Sequence, residues 1–554
     1  MWMLTSANGY SLNPQLPTFE AMVIDGGKIV ALGQQSEIML QYGTKVDKVV
    51  DLAGATVLPG LVDSHLHVSL VGEQALRLDL SSAQSKEEML YLIRNQAQTL
   101  DAHEWLLGGG FDDNKLAGGR TPSLSELDEA AGGRPLLLTR ICQHAFLANT
   151  RAFALAGITS STKNPADGRY GRDASGQLNG WVYENAAKPL LQAVPRRSRQ
   201  EQKRILRLGM EAALRQGITA VHTDDTRVLH GFVPTWDAYY GLIAEEHLYL
   251  RVHQLVDYSY LSERVEAMSQ MPSLPGWLEA GAVKMFSDGA FGGRTAWLSE
   301  SYSDAENWFG TPIFAQDELN ERVQTVHRHG LPAAIHAIGD AALDAVLTAL
   351  EGAARIRDRD RIVHAELVRK DLLARMSQLG GSLAVDVQPR FTVSDFPWVR
   401  DRVGPERAPF VNALRQMKQS GLHLAGGSDA PIEPVSPLLG MHAAVTRRKP
   451  FDALGTGKGT GNVSGYEMQE ALSMEEALRS FRESGGVPPQ CSCGGWLVSS
   501  HVGEIASLEG GEAETRRRRI YSIAHVRLEF SRLYRLQSIR EDVAVRLAGA
   551  ISRQ

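Results

Sequence analysis

The sequence predicts an α/β protein built around a (β/α)8 barrel, and three observations indicate this fold. Eight short apolar runs recur from residue 61 onward, helical stretches separate them, and several runs end in a histidine or an aspartate. Parallel strands that alternate with helices close into such a barrel, whose chemistry lies at the carboxyl ends of the strands. Hydrophobic residues make up 43% of the 554 residues, which excludes a disordered or collagen-like chain.

Residues 1–57 precede the barrel and are predicted to form a small β-structure. The apolar runs 21–24 and 28–32 are separated by Asp25-Gly-Gly27. A short glycine-containing turn between two such runs indicates a β-hairpin.

The eight apolar runs define the barrel strands, and one connection between them is unusually long. The runs span residues 61–67, 217–223, 248–253, 281–286, 331–336, 361–364, 382–386 and 422–429. Residues 68–216 are far too many for a loop and carry helical and strand-like patterns of their own. We therefore expect an inserted subdomain that roofs the barrel mouth.

Composition excludes several classes of partner. With 58 Lys and Arg against 64 Asp and Glu, the formal charge is −6. This balance does not resemble the basic stripe that nucleic-acid binding requires, so we expect no nucleic-acid partner. The N-terminus has no signal-peptide pattern, and no uninterrupted apolar stretch of about 18 residues predicts a membrane span. The 3 cysteines are too few for a disulfide framework, which is typical of a reducing compartment. Together these features predict a cytoplasmic protein that binds no membrane.

The strand ends carry a set of residues that can bind metal ions. His65 and His67 lie two apart in the first run, so both side chains lie on one face of the strand. Each residue of this set, taken singly, is also compatible with a structural role. Lys284 would then be a buried ion-pair partner, and His364 a core histidine. Convergence of the whole set on one barrel mouth favours a functional site. Its members are His65, His67, Lys284, His336, His364 and Asp429.

This order of ligand types resembles the amidohydrolase superfamily of metal-dependent hydrolases. The amino-acid sequences of the individual motifs are similar to those of the amidohydrolase-3 branch. This similarity extends over about residues 20 to 480. The inserted segment also resembles that branch in His144 and in Gly180-Trp-Val-Tyr-Glu184. The matching barrel motifs are residues 58–67, 283–289, 336–340, 361–366 and 427–431.

The resemblance implies a deformed (β/α)8 TIM barrel with an inserted α/β subdomain and a small β-sandwich formed by the chain ends. Residues 1–57 would supply the first part of the sandwich, and residues 58–481 the barrel with its insertion at about 68–216. One or two divalent ions, most often zinc, are implied as cofactors. His65, His67 and Asp429 would bind the more buried ion, His336 and His364 the second, and a CO2-derived carbamate on Lys284 would bridge them.

The implied chemistry is hydrolysis of a non-peptide C–N bond in an amide, N-acyl or N-formyl compound. A bound divalent ion lowers the pKa of its water from about 15.7 to about 7. Asp429 would act as general base and then as general acid. Two alternatives stay open: a single-metal deaminase of a heterocyclic amine, and a non-catalytic barrel scaffold that has lost its metals.

The substrate is expected to be a small molecule, and the protein is a possible homodimer. The glycine-rich and aromatic segment 286–297, with Asp288 and Arg294, lies where the mouth is expected and suggests an apolar or aromatic group. Packing of a lid is the alternative for this segment. Further substrate contacts, the first three by resemblance, are His144, Glu184, His222 and Arg407.

The resemblance stops near residue 481. The chain continues into a glycine-rich segment with Cys491 and Cys493 and later a run of four arginines, Arg516–Arg519, none of which suits the closing strands of the sandwich. We interpret residues 482–554, nominally the rest of the sandwich, as an atypical tail that is diverged or the product of a reading-frame shift.

Overall fold

The fold is described from a computed structural model. It describes residues 1–113, 116, 121–140, 145–165, 168–195, 197–396, 398–449 and 465–482. These residues form two compact units, one comprising residues 72–205 and the other the remaining described chain.

Residues 1–57 form two small β-sheets. The strands are β1 (Trp2–Thr5), β2 (Asn8–Asn13), β3 (Leu16–Phe19), β4 (Ala21–Asp25), β5 (Lys28–Gly33), β6 (Lys48–Asp51) and β7 (Thr56–Val57), with helix α1 (Gln35–Tyr42) before β6. One sheet has the order β5-β4-β1-β6 and the other β3-β2-β7. Gly26 and Gly27, with φ of 53° and 76°, make the predicted hairpin turn, a conformation that glycine adopts without a steric penalty. Leu4, Met22 and Phe19 pack together in the core of this region.

The first barrel strand β8 (Leu61–Leu66) and helix α2 (Val68–Leu76) lead into the second unit, which has a sheet of its own. Its strands are β9 (Leu78–Asp79), β10 (Leu106–Phe111), β11 (Leu136–Arg140), β12 (Ala145–Ala148), β13 (Gly168–Arg172) and β14 (Leu178–Glu184), in the order β13-β14-β12-β11-β10-β9. Its helices are α3 (Lys86–Gln98), α4 (Leu124–Ala131), α5 (Thr150–Leu155) and α6 (Lys188–Ala193). A capping box between Ser123 and Glu126 begins α4. The insertion is thus an α/β subdomain, and its location over the barrel mouth stays a prediction.

The barrel sheet contains all eight predicted strands, which confirms the fold class. After β8 come β15 (Ile218–Asp224), β16 (Arg251–Asp257), β17 (Leu278–Phe286), β18 (Ala333–Ala337), β19 (Asp360–His364), β20 (Leu383–Val387) and β21 (His423–Gly426). Each strand pairs in parallel with the next along the chain. Leu255, Ala282, Ala334 and Val363 form one layer of side chains in the core.

Helices alternate with the barrel strands and contribute buried residues to the core. They are α7 (Arg199–Arg215), α8 (Phe232–Tyr240), α9 (Leu261–Ala267), α10 (Gln316–Arg328), α11 (Asp340–Glu351), α12 (Lys370–Leu379), α13 (Phe391–Asp395), α14 (Trp398–Arg407), α15 (Leu414–Gln419), α16 (Pro437–Thr446) and α17 (Met474–Ser480). In α11 the buried residues Leu343, Val346, Leu347 and Leu350 recur at helical spacing, so one face packs against the sheet. Full burial of each such side chain contributes about 1.5–3 kcal/mol.

The seam between β21 and β8 closes through the residues that follow β21. The Asp429 amide donates to the His65 carbonyl at 2.7 Å, and the His67 amide donates to the Ala430 carbonyl at 2.8 Å. The Ser428 amide donates to Asp63 Oδ1 at 3.0 Å. These bonds bring the ends of the first and last barrel strands into direct contact.

The described chain ends against the barrel. The carbonyl of Phe481, which follows α17, accepts a hydrogen bond from the Val62 amide of β8 at 2.6 Å, and Phe481 is 1% exposed. The predicted atypical tail from residue 483 onward lies outside the described residues. Among the helices that the structure describes, none is long and apolar enough to cross a membrane.

Candidate metal centre

Three predicted ligands meet at the seam between the first and last barrel strands. The Nε2 atoms of His65 and His67 lie 3.4 and 3.2 Å from Asp429 Oδ1. One candidate ligand atom from each residue lies within 4.8 Å of the others. His65 is 1% exposed and Asp429 7%. Two imidazoles and a carboxylate held this closely can bind one divalent ion.

Two further histidines continue this cluster across the barrel. The ring of His364, at the end of β19, lies 4.5 Å from the ring of His336 in β18 and 5.7 Å from that of His65. His65 and His67 are 5.3 Å apart by the same measure. The structure therefore brings all four predicted histidines into one cluster.

Hydrogen bonds determine which ring nitrogen three of these histidines can offer to a metal ion. His67 Nδ1 lies 3.1 Å from the Asp224 carbonyl oxygen, and His336 Nε2 lies 3.0 Å from that of Gly289. A carbonyl only accepts, so these two nitrogens carry a hydrogen, and the opposite nitrogen of each ring is the one that could bind a metal ion. His364 Nδ1 makes a similar contact with Gln388 Oε1 at 2.7 Å. Such outer contacts orient metal-binding histidines in proteins.

Lys284 of β17 completes the cluster as a buried amine. It is fully buried, and no hydrogen-bond partner for its Nζ lies among the residues that the structure describes. Burial lowers its pKa to about 8, against the opposing attraction of Asp224, Asp429 and Asp386. An unpartnered buried ammonium is costly, whereas a carbamate on this nitrogen would supply oxygen ligands for metal ions. The donor set thus fits a divalent metal centre.

The carboxylates around the cluster differ in how readily they ionise. Burial raises the pKa of Asp63 to about 7 and that of Asp224 to about 6. Burial acts in the same direction on Asp429, but the hydrogen bond with His67 and nearby positive charges lower its pKa below the usual value. Asp429 is therefore the carboxylate of this group that stays most readily ionised.

The structure adds residues to the site that the sequence reasoning missed. Asp224 ends β15, and its buried Oδ1 has no hydrogen-bond partner in the described part of the chain. Asp386 lies in β20 and is fully buried. Both follow the strand-end rule that identified the ligands, so Asp224 was detectable as an acidic residue directly after the second predicted run.

Arg361 in β19 pairs with Asp386 and also contacts His222. Its Nε donates to Asp386 Oδ2 at 2.8 Å, and a terminal nitrogen donates to the Ser64 carbonyl at 2.6 Å. The other terminal nitrogen contacts His222 Nδ1. His222 is 2% exposed, and its ring lies 4.4 Å from that of His253. His222 thus contacts the buried Arg361, and a contact with substrate stays a prediction.

Asp288 and Arg294 hold the loop after β17 in place. The Asp288 carboxylate accepts hydrogen bonds from the amides of Trp297, Ile338 and Gly339 at 2.8 to 3.0 Å. Arg294 forms a two-pronged ion pair with Asp304, at 3.1 and 2.8 Å. Both side chains therefore stabilise the loop conformation, and direct substrate contact by either stays a prediction.

Three further residues were predicted to contact substrate, namely Arg407, Glu184 and His144. Arg407, at the end of α14, donates to the carbonyls of Val403, Glu300 and Ser301 and so anchors the same loop. Glu184 ends β14 in the inserted unit and is exposed. His144 lies outside the described residues.

Comparison with known proteins decides the family. The profile of the amidohydrolase family (Amidohydro_3) matches residues 48–485. The chain belongs to the amidohydrolase family. It is 33% identical over 494 residues to a protein named putative amidohydrolase YtcJ of Bacillus subtilis, covering 89% of this chain and 91% of that protein. This confirms the resemblance found in the strand-end residues.

Two further relatives of this amidohydrolase are an enzyme with a named substrate class and a solved structure. N-substituted formamide deformylase of Arthrobacter pascens is 26% identical, covering 86% of this chain and 88% of that enzyme. Among solved structures, an uncharacterized metal-dependent hydrolase from Pyrococcus horikoshii superimposes with a TM-score of 0.70 at 28% identity. The match covers 91% of this chain and 93% of that one.

Proposed function

We propose that this amidohydrolase hydrolyses a non-peptide C–N bond in an amide, N-acyl or N-formyl compound. The observation that carries the proposal is the convergence of His65, His67 and Asp429, within 4.8 Å, beside the buried amine of Lys284. The similarity to a formamide deformylase over most of both chains supports this class of substrate.

The metal centre would be held by the residues that the sequence singled out. His65, His67 and Asp429 would hold one ion, His336 and His364 a second, and carboxylated Lys284 both. Zinc suits this donor set of imidazoles and oxygens. When bound, such an ion makes hydroxide available near neutral pH and polarises the carbonyl of the substrate.

Asp429 moves the proton in the proposed reaction. It is ionised at neutral pH and held by His65 and His67 at its Oδ1 atom, so it can accept a proton from the attacking water. The same carboxyl group then delivers that proton to the leaving nitrogen as the C–N bond breaks. The carboxylate thus acts first as general base and then as general acid.

An aromatic side chain forms one wall beside the metal centre. The Phe286 ring, at the end of β17, lies 5.5 Å from the His336 ring and 4.8 Å from Lys284 Nζ. The guanidinium of Arg227 stacks over the same ring at 4.9 Å. This apolar surface beside a metal-binding histidine supports a substrate with an apolar or aromatic acyl or amine group.

Metal analysis combined with a substrate panel tests the proposal. Protein grown with zinc and hydrogencarbonate should contain about one to two equivalents of divalent metal by elemental analysis. It should hydrolyse N-formyl and N-acyl amines in preference to heterocyclic amines. Absence of bound metal would contradict the enzyme assignment, and release of ammonia from a heterocycle without amide hydrolysis would favour a deaminase.

A further inference from the structure

Gln388 lies directly after β20 and links the backbone of that strand to His364. Its side chain is almost completely buried, at 1% exposure. Its Nε2 donates to the Asp386 carbonyl oxygen at 3.1 Å, and its Oε1 lies 2.7 Å from His364 Nδ1.

These two contacts determine the hydrogen position on His364. The Asp386 carbonyl only accepts hydrogen bonds, so the amide nitrogen of Gln388 must face it. The opposite orientation would place two acceptor oxygens against each other. Gln388 therefore presents its oxygen to His364, and Nδ1 of His364 must carry the hydrogen. The Nε2 lone pair of His364 is left for a ligand.

The same segment also restrains the plane of the His364 ring. The ring of Phe391, three residues after Gln388, stacks on it at 5.9 Å with an interplanar angle of 12°. His364 itself has a φ of 78°, a region that residues other than glycine rarely adopt. A backbone conformation of this kind persists where neighbouring groups hold it.

We propose that Gln388 is a positioning residue for His364, fixing its tautomer so that Nε2 faces the metal centre. The inference rests on the proposed function, because it assigns Gln388 a role at the same metal site. Gln388 touches no reacting atom and acts only through His364, with Phe391 holding the ring from its face. None of the six metal ligands predicted from the sequence lies in β20, the strand that precedes Gln388.

Zinc affinity of the purified protein tests this role through three variants. Gln388→Met keeps the length of the side chain but removes the acceptor. Gln388→Glu keeps an oxygen at the same reach, a common partner of metal-binding histidines. Thr392→Val is a matched control, because Thr392 is buried in the same segment and its hydroxyl has no hydrogen-bond partner within the described ranges. Competition with a chromophoric chelator measures the affinity for each zinc equivalent.

We expect Gln388→Met to lower the affinity for one zinc equivalent by about 10- to 100-fold. This range is typical when a residue that hydrogen-bonds a metal-binding histidine is replaced. Gln388→Glu should bind more tightly than Gln388→Met, and Thr392→Val should bind as the wild type does. Unchanged affinity in Gln388→Met, or equal losses in the Met and Glu variants, would overturn the proposal. If the wild type binds no zinc, the proposed function fails instead.

A second measurement does not depend on the Gln388 variants. Nitrogen-15 NMR of histidine-labelled, metal-free wild type, with His364 assigned from the His364→Gln spectrum, reports which ring nitrogen carries the hydrogen. The hydrogen should reside on Nδ1. A hydrogen on Nε2 would overturn the proposal whatever the zinc affinities are.

Discussion

The guanidinium of Arg361 and the carboxylate of Asp386 form an ion pair in which neither side chain is exposed to solvent. Nε and one terminal nitrogen of Arg361 lie 2.8 and 2.6 Å from Asp386 Oδ2. The same guanidinium donates to the carbonyl of Ser64, the residue before His65, a proposed metal ligand. Arg361 thus joins three barrel strands beside the metal centre.

Arg361→Met should lower the free energy of unfolding by about 3–5 kcal/mol, because it leaves the Asp386 charge buried without a partner. Urea denaturation followed by circular dichroism measures the change. The double variant Arg361→Met with Asp386→Leu should recover most of the loss, since replacing both charges by apolar groups is often neutral. A double variant no more stable than the single one would show that the charge pairing is not the cause.

Replacing Lys284 with Met should have opposite effects on stability and on metal binding. The amine is buried and has no hydrogen-bond partner among the described residues, and leaving such a group unsatisfied costs about 1–3 kcal/mol. The metal-free Lys284→Met variant should therefore be more stable than metal-free wild type by about this amount, while its zinc content falls. Thermal and urea unfolding of both metal-free proteins check the first part, and elemental analysis the second.

Lys370, an exposed lysine at the start of α12, provides the control for that experiment. Lys370→Met should change stability by less than about 0.5 kcal/mol. If Lys284→Met destabilises the metal-free protein, the amine must have a stabilising partner, and the argument from its burial is wrong.

The clustering of the proposed metal ligands was predictable because they lie at or near the carboxyl ends of strands. His65, His336 and His364 end short apolar runs, and parallel strands bring their carboxyl ends to one face of a barrel. Sequence spacing alone therefore determines which residues meet. The same rule predicted eight strands, because each run is short and bounded by a helical stretch.

The contacts around the ligands were not predictable in this way. Arg361 reaches the Ser64 carbonyl across 297 residues of sequence, and nothing in the local pattern of either segment specifies that partner. Arg294 was predicted to contact substrate from its expected location near the mouth, and Arg407 from its location before the eighth predicted strand. Their ion pair and carbonyl contacts depend on the path of the loop after β17, which strand periodicity does not determine.

The stability of the barrel should depend on pH through His327 in α10. Its two ring nitrogens lie 2.8 Å from the Ala354 carbonyl and 2.9 Å from Asp360 Oδ1, so both face acceptors. Burial lowers the pKa of His327, but the hydrogen bond with Asp360 and the attraction of its charge raise this pKa to a value above 6.5. The charged form is thus favoured in the folded state.

A raised folded pKa contributes stability that is complete below the unfolded pKa of about 6.5 and is lost as the pH rises through the folded value. The difference in unfolding free energy between wild type and His327→Gln should therefore be largest near pH 5.5 and smaller near pH 9. Urea titrations of both proteins at the two pH values measure it. A difference that grows with pH would contradict a charged His327.

Asp429→Asn should abolish turnover while most of the metal stays bound. The amide keeps the size of the carboxylate and an oxygen near the Nε2 atoms of His65 and His67, which lie 3.4 and 3.2 Å from Oδ1 in the wild type. It cannot accept the proton of the attacking water, and loss of a general base typically costs about 10²–10⁴-fold in rate. Elemental analysis and initial rates on one N-formyl substrate give both quantities. Asp371→Asn, at an exposed carboxylate of α12, should leave the rate unchanged. Equal rates for wild type and Asp429→Asn would refute the role of Asp429 in proton transfer, whereas parallel loss of metal and rate would make it a ligand only.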